Sequence, residues 1–107
     1  MRNISNDIEK IKDIIIREYQ PDKIILFGSR ARGENYPDSD IDILVVSDKE
    51  KDLPRYKRGL KVRLKLASIP LPKDILFYTH GDFGKWRSVR QSFVSTVLRE
   101  GIVLYER

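Results

Sequence analysis

The 107-residue sequence has no cysteine, which removes disulfides and thiolate metal ligands from the chemistries available to it. It has a single histidine, His80, so a histidine-rich metal site is excluded as well. The opening MRNISNDIEK lacks the apolar core of a secretory signal. No apolar run approaches the roughly 20 residues that cross a bilayer. The expected location is therefore cytoplasmic, with no membrane role. No internal repeat and no low-complexity segment interrupts the chain. Charge, by contrast, is abundant: 35% of residues are charged and 40% hydrophobic, a balance that fits a soluble globular protein on the highly charged side. The length suits one domain over residues 1–107. A net charge of +5 favours an anionic partner, which a nucleotide, a nucleic acid or an acidic protein surface would satisfy alike.

Ile4, Ile8, Ile11, Ile15 and Tyr19 recur at helical spacing. Asn6 and Glu9 have the spacing of a capping box, and Pro21 ends the helix. Short Ile- and Val-rich runs mark strands at about Lys23 to Phe27 and Ile41 to Val46, the second nearly continuous in apolar residues and so expected to be buried on both faces. Between them, GENYPDS (33–39) reads as a loop with a turn at Pro37, and Tyr36 as a locally packed residue. Residues 50–67 fit a helix with Leu53, Tyr56, Leu60, Leu64 and Ala67 on one face, Pro54 in its first turn and Gly59 an internal weak point of about 1 kcal/mol. Arg58, Lys61 and Lys65 would then form a solvated opposite face. Asp74 opens a third strand, DILFYT. A final helix capped by Asp82 carries Trp86, Val89, Phe93 and Val97 to Gly101, and Ile102 to Tyr105 can add a short strand. This alternation of helices and strands predicts an α/β (α+β) sandwich around a small sheet.

The chemistry concentrates in residues 24–46, IILFGSRARGENYPDSDIDILVV. Asp40 and Asp42 are two residues apart at the start of a strand, so they share a face, with Cα atoms roughly 6.6 Å apart. Two carboxylates so close repel each other, and aspartate is depleted in strands. A pair of divalent cations held between these acids and phosphate oxygens would account for them. Gly28 and Ser29 follow the first strand and precede Arg30-Ala31-Arg32, a helix-compatible segment closed by Gly33. A glycine admits close backbone approach by a ligand, and the amides opening a helix attract anions. One edge of the fold would thus carry a phosphate cradle and its neighbour a metal-binding acid pair.

Gly28-Ser29, ten residues, then Asp40-Ile41-Asp42 resembles the signature of the polymerase-β-like nucleotidyltransferase superfamily. The filling GSRARG…SDIDILVV is similar to the minimal nucleotidyltransferases encoded beside HEPN-domain proteins. The resemblance runs from the first helix to REGIVLYE and implies a mixed rather than all-parallel sheet. It also implies two Mg²⁺ ions (or Mn²⁺) on Asp40 and Asp42, with Asp74 completing the site and able to accept a proton. Gly28 and Ser29, with Arg30 assisting, would hold the triphosphate of a nucleoside triphosphate such as ATP. For this subgroup the implied reaction is AMP transfer to a tyrosine of a HEPN toxin, making the protein an antitoxin. Larger relatives carry a further recognition domain, so a homodimer or a partner protein is expected to complete the pocket. Two alternatives stay open: a non-catalytic partner-binding antitoxin, and a nucleotidyltransferase acting on RNA or a small molecule.

Overall fold

A computed structural model describes residues 4–34 and 40–107. Expectations about Tyr36 and the turn at Pro37 fall outside these residues. Helix α1 (Ile4–Tyr19) leads into β1 (Lys23–Phe27), and β2 (Ile41–Val46) follows. A short 3-10 turn at Arg55–Lys57 precedes α2 (Leu60–Leu66). Then come β3 (Lys73–Tyr78), α3 (His80–Trp86), α4 (Phe93–Glu100) and β4 (Ile102–Glu106). The strands form one mixed sheet in the order β3-β2-β1-β4. The central β1 runs antiparallel to both β2 and β4, while β2 and β3 are parallel.

Alternation along the strands divides the core in two. Ile41, Ile43, Val45, Ile75 and Phe77 face one way, against Ile11, Ile15 and Tyr19 of α1 and Val62 and Leu66 of α2. Leu44, Val46 and Tyr78 face the other way, against Phe83 of α3 and Val94 and Val97 of α4. The isoleucine periodicity of α1 thus describes its packed stripe, and β2 is covered on both sides as its apolar run predicts.

Four expectations need correction. No helix of the described residues separates β1 from β2, so the simple helix–strand alternation fails there. Asn6 lies within α1 rather than ahead of it, because the helix already includes Ile4. The region 50–67 is not one helix: Gly59 sits at φ +72° as the residue that starts α2, and a Cβ there would strike the Phe77 ring. The helix therefore turns a different face inward. Val62 and Leu66 are buried, Leu60 and Leu64 are 63% and 68% exposed, and Tyr56 is 79% exposed. Finally, the stretch 80–100 holds two helices, capped by the side chains of Thr79 and Ser92, with Asp82 inside the first turn of α3. Gly101 ends α4 as expected.

Arg58, expected on the solvated face of that 50–67 helix, lies inside instead. It is buried, at 7% exposure. Its Nε donates to the carbonyls of Glu50 and Leu53 (3.3 and 3.0 Å), and its Nη1 to the Phe77 carbonyl and the Asp82 carboxylate (3.2 Å each). A buried guanidinium is tolerated because its donors are matched in this way.

Candidate active site

Strand register gathers the acids. Phe27 stands opposite Asp42 across the antiparallel β1–β2 pair, so the chain leaves β1 at Gly28 directly beside Asp42. On the other side, Asp42 stands opposite Asp74 across the parallel β2–β3 pair. Gly28, just past the end of β1, therefore lies in a row with Asp42 of β2 and Asp74 of β3, with Asp40 just ahead of β2. Opposed residues of paired strands share a sheet face, and for Asp42 and Asp74 this is the α3–α4 face. The row lies at the end of that face, beyond the packed Leu44 and Val46.

The row is electrostatically uneasy. Burial pushes the Asp42 carboxyl above its ordinary pKa, the charges of Asp74 and Asp40 push it further, and Arg32 opposes them weakly. Asp40 and Asp74 themselves are exposed. Among the described residues, no three acid or imidazole side chains converge tightly enough to enclose a metal by themselves. The acids follow one another across neighbouring strands, with Asp42 partly buried between two exposed ones.

Gly28 is required by two separate constraints. Its φ is +78°, a conformation that costs other L-residues about 1–2 kcal/mol, and a Cβ on it would run into Asp42 Oδ2. The segment after it is a turn rather than the helix the sequence allows. Ala31 and Arg32 amides donate to Gly28 O (3.1 and 3.2 Å), and Glu34 N donates to Ser29 O (2.9 Å). Gly33, at φ +79°, closes the segment, so there are too few residues to propagate a helix. The Ser29 amide and hydroxyl stand ahead of the first of these bonds. Any anion binding here rests on individual turn groups, not on a helix dipole.

Of the two neighbouring arginines, Arg32 is engaged by Glu34 (3.2 Å) and by Glu100 at the end of α4 (3.3 Å). Arg30 is partly buried next to Ser29. His80 lies beyond the far end of β3, six residues and roughly 20 Å from Asp74, with Nε2 2.6 Å from Asp22 Oδ2. It has no place among the acids. Sequence reasoning missed Arg55 and Arg63, which line a cleft of about 500 Å³ together with Tyr56 and Asp74; the mistaken helix over 50–67 hid them.

A glycine-opened turn beside a row of aspartates on a mixed sheet presents the donors that nucleotidyl transfer calls for. Residues 9–107 match the polymerase beta nucleotidyltransferase family, and the chain belongs to it as a nucleotidyltransferase enzyme. A relative from Methanocaldococcus jannaschii, named a putative protein adenylyltransferase, is 41% identical over 83 residues, covering 78% of this chain and 77% of the relative. A second protein of that name and organism is 34% identical over 76% of each chain. Among solved structures, a toxin–antitoxin complex with AMP-PNP contains a chain with TM-score 0.58 and 29% identity, covering 95% of this chain and 73% of that one. A Sulfolobus solfataricus protein named a putative nucleotidyltransferase shares the fold, at TM-score 0.56 and 22% identity over 95% of this chain and 79% of its own.

Proposed function

We propose that this protein, acting as one nucleotidyltransferase unit over residues 1–107, transfers AMP from ATP to a hydroxyl, most specifically a tyrosine of a HEPN-domain toxin in the cytoplasm, and so serves as an antitoxin. The observation that carries this reading is the row Gly28–Asp42–Asp74, with Asp40 beside it. The naming of its relatives as protein adenylyltransferases and the toxin–antitoxin neighbour support the acceptor class.

The residues fit divalent metal ions. The donors are hard carboxylate oxygens, which suit Mg²⁺ or Mn²⁺, and Asp42 is held at a position where its own charge is disfavoured. Asp40 and Asp42 would hold two ions and Asp74 would share one. When bound, the metal supplies charge neutralisation on the phosphates and lowers the pKa of a coordinated hydroxyl.

The chain's own residues then have separable roles. Ser29, through its amide and hydroxyl, binds the outer phosphates, and Gly28 lets them approach because it has no side chain. Arg30 adds positive charge beside them. The acceptor oxygen bonds to the α-phosphorus as the bond to the bridging oxygen breaks, pyrophosphate leaves, and Asp74 accepts the hydroxyl proton. A second copy of the chain or the partner itself completes the acceptor side.

The test separates chemistry from binding. Wild type and Asp40→Asn are mixed with α-labelled ATP, Mg²⁺ and a HEPN-domain partner. Wild type is expected to label the partner, and Asp40→Asn to lose labelling by about 10² or more while still co-purifying with it. Equal labelling by both proteins refutes the catalytic role. A wild type that binds the partner but never labels it refutes the enzymatic reading in favour of inhibition by contact.

A further inference from the structure

The sheet has an open edge where the candidate acceptor side lies. β3 is the outermost strand, and the direction of its backbone groups can be read from their partners. The Pro72 and Tyr78 carbonyls accept from Ile41 N and Ser47 N (3.0 Å each), so even-numbered positions point toward β2. The Phe77 carbonyl accepts from the buried Arg58 instead. Odd-numbered positions therefore point outward, and the amide and carbonyl of Lys73 and Ile75 face the edge. Arg58 closes that edge at Phe77; among the described residues no strand pairs with β3 beside Asp74, where Ile75 is 4% exposed.

A groove follows this edge. The 500 Å³ cleft runs from Asp74 to Phe77 under Arg55, Tyr56 and Arg63. A second hollow of about 240 Å³ shares Arg63 and Ile75 with it and continues past Lys73. Arg55 is stacked 4.1 Å from the Tyr78 ring centre and donates to its hydroxyl. Arg63 lies 5.0 Å over the Phe77 ring and donates to the Arg58 carbonyl. Among the described residues, neither guanidinium is paired with a carboxylate. The groove thus combines an unpaired strand edge, an exposed tyrosine and two arginines positioned by rings rather than by acids.

We propose that this edge receives an extended, acidic segment of a partner protein as an added strand, and that the segment carries the acceptor hydroxyl. This rests on the nucleotidyl-transfer reading above and specifies its substrate. Side chains directly across paired strands lie about 5 Å apart on the same face. A residue paired beside Asp74 would therefore continue the row Gly28–Asp42–Asp74 by one position, which places its hydroxyl next to the carboxylate that takes its proton. Its oxygen forms the new bond to phosphorus, and pyrophosphate departs. Carboxylates further along the segment, toward Phe77, would meet Arg55 and Arg63. Main-chain pairing supplies affinity in such complexes and the side chains supply selection.

The probes are synthetic nonapeptides with one central tyrosine, flanked by Asp and Glu, by Gln, or by Lys, tested with α-labelled ATP and Mg²⁺. The acidic set is expected to be labelled with kcat/KM at least about tenfold above the lysine set. Arg55→Gln with Arg63→Gln should erase that preference through KM, with kcat retained. Should the double variant melt early, Arg55→Gln alone serves, since Arg55 is exposed. Methylating single backbone amides of the best peptide should block labelling at every second position only. Labelling indifferent to flanking charge and to methylation would overturn the proposal, as would a wild type that binds Mg·ATP by calorimetry yet labels no peptide. A wild type that binds no Mg·ATP would instead overturn the nucleotidyl-transfer reading beneath it.

Discussion

Asp42 is the residue on which the site's energetics turn. Its pKa is raised by burial first and by Asp74 and Asp40 next, so the ion-free fold is stabilised by protonating it. That contribution is fully present below the ordinary value of 3.8 and is lost as pH rises through the higher folded value. Asp42→Asn should therefore melt above wild type at pH 7 in the presence of EDTA, and the gap should close toward pH 3. Thermal melts across that range check it; a variant less stable than wild type at pH 7 would show that Asp42 contributes to folding as a charge. Gly28, Asp40 and Asp42 stood out in the sequence as a candidate site because aspartates inside a strand start are costly and Gly-Ser directly follows a strand. Asp74 had no such internal signal, since one acid before a strand is ordinary; its place beside Asp42 follows from a parallel pairing that only the fold supplies. The helix expected over 30–32 was not formed, because two glycines at positive φ leave it a single turn.

At the scale of elements, strands were read almost to the residue and helices less well. Strand runs are short, apolar and punctuated, so their limits are local. The stretch 50–67 is decided by tertiary contacts instead. The helical spacing of Leu53, Tyr56, Leu60 and Leu64 is overridden there, because Gly59 must pass close to Phe77 at positive φ. That start of α2 rotates Val62 and Leu66 inward and leaves Leu60 and Leu64 outside. Arg58, which the helical reading placed on a solvated face, becomes the tie between the 50s loop, β3 and α3. Burial pushes the Asp82 carboxyl up, yet hydrogen bonds from Arg58 and Thr79 outweigh it and hold the pKa below its ordinary value. Asp82 thus stabilises the fold above its usual range, and this is lost as pH falls through the lowered value. Arg58→Met keeps much of the packing but orphans three carbonyls and one carboxylate, a loss of about 3 kcal/mol. Urea melts at pH 7 measure it, and the difference should narrow in acid as Asp82 protonates. A change within about 0.5 kcal/mol, the range of ordinary surface substitutions, would mean that water replaces the guanidinium without cost.

For the whole molecule, the acid row creates a fold whose stability should depend on its ligands. A ligand that binds only the folded state stabilises it by about 2.7 kcal/mol at 100 times its Kd. In a domain near 100 residues each kcal/mol moves Tm by roughly 4–8 °C. Mg²⁺ with ATP at saturation should therefore raise Tm by about 10–20 °C. Mg²⁺ alone should do less, because Asp40 and Asp74 are exposed and the described acids do not enclose an ion by themselves; the phosphates must supply the remaining oxygens. ATP with EDTA should do little, since an unneutralised triphosphate would face Asp42 across Gly28. The ordering of the three melts is thus as informative as their size. Asp42→Asn should lose most of the Mg·ATP shift even though it starts from a more stable ion-free protein, a combination that general destabilisation cannot produce. If ATP without metal gives the full shift, or if Asp42→Asn retains it, the nucleotide is held elsewhere and the row of aspartates is not its metal site.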